Sequence, residues 1–124
     1  MRDSFCQTCH RILTSGMAKL LFICAHNKDR SVTAASLFEG HPHHSVRARG
    51  VSKRAVTQVT ADDLVWAEKV FVMEPKHERR LRREYRGILK DRDVTVLDVP
   101  DDYKCMDEPL VAILRSKLAR LLLP

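Results

Sequence analysis

Four short apolar runs, each followed by a stretch with helical spacing, set the architecture. Residues 19–24 (KLLFIC) read as a near-continuous apolar strand of the kind that a parallel sheet buries on both faces. Residues 45–49 (SVRAR), 69–73 (KVFVM) and 94–99 (VTVLDV) supply three further strands. A helix rich in small residues is expected over 30–39. A second covers 61–67 behind Thr60, with Asp63 placed to complete a capping box. Pro75 opens a third to about residue 86, with Leu81, Tyr85 and Ile88 on one face. After Asp107 and Pro109, the stripe Leu110, Leu114, Leu118 and Leu121 marks a closing amphipathic helix. The alternation βαβαβαβα predicts an α/β three-layer sandwich: a small four-stranded parallel sheet with right-handed crossovers and helices on both faces.

At 124 residues, 44% hydrophobic and 31% charged, the chain is long enough to bury a core without disulfides or a structural metal. Its longest apolar run is the six residues 20–25, too short for a bilayer. Residues 1–16 lack a hydrophobic signal core and are expected to be a mobile leader before a single domain over 17–124. A cytoplasmic location follows, with the four cysteines reduced. The net charge of +6 favours anionic partners without choosing among them.

In open parallel sheets, ligands sit beyond the carboxyl ends of the strands. The first such loop runs Cys24-Ala25-His26-Asn27-Lys28-Asp29-Arg30-Ser31, a C-x5-R-S pattern between a buried strand and a helix. A short loop entering a helix can turn its N–H groups inward and hold a phosphate, so Ala25, His26, Asn27, Lys28, Asp29 and Ser31 are the candidate binding residues. A cysteine opening that loop is placed where N–H groups and a guanidinium favour thiolate. Arg30 can grip two phosphoryl oxygens with its planar fork, and the Ser31 hydroxyl can donate to the sulfur.

The stretch LLFICAHNKDRSVTAASLF resembles the phosphate-binding loop of the low-molecular-weight protein tyrosine phosphatases, including Asn27 three residues after the cysteine. The resemblance continues through RARGV at 47–51, VTADDLVWAEKVFVMEPKH at 59–77 and Val99-Pro100-Asp101, covering about residues 19–121. It implies that family's fold, no cofactor or metal, and phosphate or sulfate as loop ligands. The sequence departs from the family in four ways. Asp29 stands where many members carry a second loop cysteine, His26 stands where Gly is common, the stretch 50–59 is short where others wall a phosphotyrosine pocket, and Asp102 stands where a Pro follows Val-Pro-Asp in the family.

Cleaving a phosphate ester needs a proton for the departing oxygen, and a Cys–Arg loop supplies none. The resemblance puts the acid on Asp101, with Asp102 as the alternate. The implied reaction is attack by Cys24 on phosphorus, charge stabilisation by Arg30 and the loop amides, and hydrolysis of a cysteinyl phosphate. The expected substrate is a phosphorylated protein or small molecule. A thiol-dependent arsenate reductase and a non-catalytic phosphate or nucleic-acid binding module are the alternatives; nucleic acid is not the favoured partner.

Other features read as background. Cys6, Cys9 and His10 match a haem-attachment string in a leader without an export signal, and His41, His43 and His44 read as an exposed connection rather than a metal site. Cys105 is expected to pack, with a redox disulfide to Cys24 as the alternative. Arg79, Arg80, Arg82, Arg83 and Arg86 are expected to form a solvated face, partly neutralised by Glu78 and Glu84.

Overall fold

The computed structural model describes residues 18–38, 44–90 and 92–122. The leader motif at Cys6, Cys9 and His10, the histidines at 41 and 43, and the side chain of Leu121 lie outside them. Strands β1 (Ala18–Cys24), β2 (His44–Gly50), β3 (Lys69–Val72) and β4 (Asp93–Val96) form one parallel sheet in the order β2-β1-β3-β4. The helices are α1 (Arg30–Ser36), α2 (Ala61–Trp66), α3 (Pro75–Glu84), α4 (Arg86–Leu89) and α5 (Glu108–Leu122). The expected three-layer α/β architecture is the one observed.

The apolar run of β1 has a simple cause: the strand has a neighbour on each side and a helical layer on each face. Leu20, Phe22 and Cys24 point into a core with Ala34 of α1 and Leu110, Leu114 and Leu118 of α5. Leu21 and Ile23 point the other way, onto Leu64 of α2, Leu81 of α3 and Leu89 of α4. Each such fully buried side chain contributes about 1.5–3 kcal/mol of transfer free energy. Phe22 stacks between Phe38 and Phe71, with ring centroids 5.8 and 5.3 Å away. These two layers hold the carboxyl end of β1 rigidly, and that is where the chain must turn.

The Thr60–Asp63 capping box forms as expected. Asp63 also binds Arg47 and Arg49 of β2, each at 3.0 Å, and so ties α2 to the sheet edge. Two elements differ from expectation. The third helix breaks at Tyr85 (φ −130°, ψ 41°), and α4 follows as a separate turn. The last strand ends at Val96 rather than residue 99, because Asp98 takes a left-handed conformation (φ 58°). Residues 97–99 nevertheless stay on the sheet, with Leu97 N–H donating to Val72 O and Val99 N–H to Met73 O, both at 2.8 Å.

Candidate active site

Between Cys24 and Arg30 the loop carbonyls are bound on one side. Val51 N–H donates to Cys24 O (3.0 Å), Ser52 N–H to Ala25 O (2.9 Å) and Val56 N–H to His26 O (3.0 Å). In a trans peptide the C=O and N–H point in opposite directions. These bonds therefore turn the N–H groups of Ala25, His26 and Asn27 away from the donors of segment 50–56. Asn27 N–H reaches Cys24 Sγ at 3.2 Å, from a left-handed backbone (φ 54°) that asparagine tolerates better than most residues.

Gly50 makes this packing possible. A Cβ there would lie 2.7 Å from Ala25 O, 2.9 Å from Asn27 N and 2.6 Å from Ala55 Cβ, so only glycine lets the two segments meet.

Cys24 is 3% exposed, and its sulfur lies 3.1 Å from Ser31 Oγ. The Ser31 hydroxyl also lies 2.9 Å from Asn27 Oδ1, so its one proton can serve either acceptor. Asn27 and Ser31 are buried behind the sulfur and orient it. The cleft in front, of about 210 Å³, is lined by Cys24, Ala25, His26, Lys28, Asp29, Arg30 and Asp101. All the residues singled out in the loop thus gather at one place, and Asp101 joins them from a distant segment. Asp102 is exposed and does not line the cleft.

Arg30 is 2% exposed, and a buried guanidinium requires partners. Its Nη1 donates to Glu74 Oε2 at 2.5 Å and to Val99 O at 2.8 Å, while Nε lies 3.8 Å from Asp101 Oδ1. Among the described residues Nη2 has no acceptor, which leaves one edge of the fork available to a ligand. Burial opposes ionisation of Glu74, but the hydrogen bond and charge of Arg30 outweigh it and hold the carboxyl below its ordinary range. The Asp101 side chain is 60% exposed, so a departing group can reach it from solvent.

Asp29, which puts negative charge at the mouth of the loop, has a structural task as well. Its Oδ1 accepts from Cys105 N–H at 2.9 Å, and Thr33 Oγ1 accepts from Met106 N–H at 2.9 Å. Together they fasten the segment that follows Asp101 to α1. Cys105 is exposed, with its sulfur 3.8 Å from Thr33 Oγ1, whereas Cys24 is buried; both are free thiols. Among the described residues, no group of three or more His, Cys, Asp or Glu is arranged to hold a metal.

Neither a protein-family model nor a curated protein sequence matches the chain. Solved structures do. SP-PTP, a low molecular weight protein tyrosine phosphatase from Streptococcus pyogenes, superposes with a TM-score of 0.72 at 17% identity, over 86% of this chain and 91% of its own. The chain has the low-molecular-weight protein tyrosine phosphatase fold. YwlE arginine phosphatase from Geobacillus stearothermophilus superposes at 0.66 with 22% identity, over 85% of this chain and 92% of its own. The tyrosine phosphatase Wzb from Escherichia coli K30, in complex with phosphate, does so at 0.66 with 20% identity, over 86% and 96%.

Within this phosphatase fold, three parts of the site escaped the sequence reading: Glu74, the Val99 carbonyl and Gly50. Glu74 carried a usable signal, since it follows β3 at the carboxyl edge of the sheet and a buried arginine there needs a carboxylate. The Val99 carbonyl and the contacts of Gly50 are matters of tertiary approach and leave no mark on composition.

Proposed function

We propose that the protein is a cysteine-dependent phosphatase that hydrolyses a phosphate monoester through a cysteinyl-phosphate intermediate. The observation that carries this reading is the meeting of Cys24, Arg30 and Asp101 in one small cleft. Cys24 Sγ attacks phosphorus as a thiolate; the S–P bond forms while the ester O–P bond breaks. The free edge of Arg30 and the N–H groups of the loop take up the charge spread over the phosphoryl oxygens. Asp101, protonated, gives its proton to the departing oxygen. Water then attacks phosphorus and loses its proton to the Asp101 carboxylate. The S–P bond breaks, releasing phosphate and regenerating the thiolate, which the Asn27 N–H and Ser31 hydroxyl stabilise. Glu74 does not touch substrate; it positions the arginine. A reducing compartment such as the cytoplasm keeps Cys24 competent.

The test is turnover of para-nitrophenyl phosphate by the wild type and by Cys24→Ser, with vanadate as inhibitor. Vanadate-sensitive hydrolysis that falls at least a thousandfold in the variant is expected. Retained activity in Cys24→Ser, or thiol-dependent arsenate reduction without phosphatase turnover, overturns the proposal.

A further inference from the structure

A second cleft, of about 350 Å³, adjoins the first and shares Ala25 and His26 with it. Val51 and Ser52 form one wall; Lys76, His77, Arg80 and Arg83 of α3 form the other. Residues 76, 80 and 83 recur at helical spacing, so their three cations fall on one face of α3. The arginine run is thereby divided. Arg82 lies outside this lining and pairs with Glu78 at 2.9 Å. Of the three cleft cations, Lys76 lies 3.8 Å from Glu74 and Arg80 pairs with Glu84 at 3.3 Å, whereas Arg83 has no ion pair among the described residues; no carboxylate lines the cleft itself.

His77 adds an independent observation. It is 2% exposed, and its Nδ1 accepts the Glu74 N–H at 3.2 Å. An imidazole that accepts at Nδ1 carries its proton on Nε2. That Nε2 is buried and has no hydrogen-bond partner among the described residues. Burial, reinforced by the charge of Arg30, lowers the His77 pKa to about 4, so at neutral pH the group is an uncharged donor. A buried donor without an acceptor beside three cations is the recognition chemistry of an oxyanion.

We propose that this cleft binds a second phosphate on the substrate, which makes small bisphosphorylated compounds the preferred substrate class. The inference rests on the phosphatase reading above and narrows its substrate. The reacting phosphoryl sits on the Cys24–Arg30 loop, and the second phosphate lies across Ala25 and His26, against α3. The short segment 50–56 contributes by leaving this side open: it supplies the low wall of Val51 and Ser52. A cleft of this size accepts a phosphoryl group and its linker rather than an extended chain.

The experiment measures binding to Cys24→Ser, independently of turnover, with α,ω-alkanediol bisphosphates of three to six carbons against the matching alkyl monophosphates. At the best spacing the bisphosphate should bind at least tenfold more tightly. That advantage should vanish in Cys24→Ser/Arg83→Ala and persist in Cys24→Ser/Arg86→Ala. The His77 Nε2–H proton resonance should move on adding the bisphosphate and stay in place with the monophosphate. Equal affinities at every spacing, or an advantage that survives Arg83→Ala, overturns the proposal. Hydrolysis of para-nitrophenyl phosphate by the wild type reports separately on the phosphatase reading, so either can fail without the other.

Discussion

Acidification should destabilise this protein through His77 before it titrates Asp63 and Glu74. Folding lowers the His77 pKa from its ordinary 6.5 to about 4, because burial and the Arg30 charge oppose the imidazolium and Glu74 only partly offsets them. Between those values the unfolded chain binds the proton that the folded chain refuses. Stability is therefore complete above pH 6.5 and falls as the pH drops toward 4. The full loss is about 3 kcal/mol, of which about 2 kcal/mol falls between pH 7 and pH 5. Urea unfolding at those two pH values should show a midpoint lower by roughly 1–2 M at pH 5, given slopes ordinary for a domain of this size. His77→Gln supplies the comparison, since Gln can still accept the Glu74 N–H but does not titrate. Its midpoint should depend far less on pH over the same range. Asp63 and Glu74 act lower down. Burial opposes ionisation of Asp63, but the Thr60 N–H, Arg49 and Arg47 outweigh it. Both carboxyls are held below their ordinary values of 3.8 and 4.5, so their contributions are present above those values and disappear only in stronger acid. Equal pH dependence in wild type and His77→Gln would show that the acid sensitivity does not arise at His77.

Gly50→Ala should lower stability by about 1–3 kcal/mol and, on the phosphatase proposal, reduce turnover at least a hundredfold, because the new methyl pushes Ala25 O and Asn27 N of the Cys24–Arg30 loop out of place; a wild-type melting curve would contradict this. Asp101→Asn should slow hydrolysis of phenyl phosphate by about 10²–10⁴-fold, and para-nitrophenyl phosphate, with its better leaving group, much less. Asp102→Asn should behave as wild type, and a loss that instead tracks Asp102 would move the acid by one residue.

Much of the architecture could be read directly from the residues. The run KLLFIC requires burial on both faces, and the helical stripes between strands leave little besides a parallel sheet in layers. The Thr60–Asp63 cap was legible because it is a contact between residues three apart. The break at Tyr85 was not. It depends on a tertiary environment in which Tyr85 OH reaches Val59 O at 3.4 Å, while the local pattern continues as a helix through it.

The same division runs through the site. Cys24, Asn27, Arg30 and Ser31 lie within one loop, and their spacing by itself specifies which groups can surround a phosphate. Asp101 was reached through resemblance, and its place in the cleft depends on how the strand-end segment is fastened to α1 by Asp29 and Thr33. Glu74, the Val99 carbonyl, Gly50 and the buried, unpartnered Nε2 of His77 were matters of the fold alone. Each works through a partner far away in sequence, and such partners are brought together by the stacking order of the sheet. The residues alone specified a basic domain with a Cys–Arg loop at the end of its central strand; the packing of β3, α3 and segment 50–56 around that loop decided how its arginine is held and which cations line the neighbouring cleft.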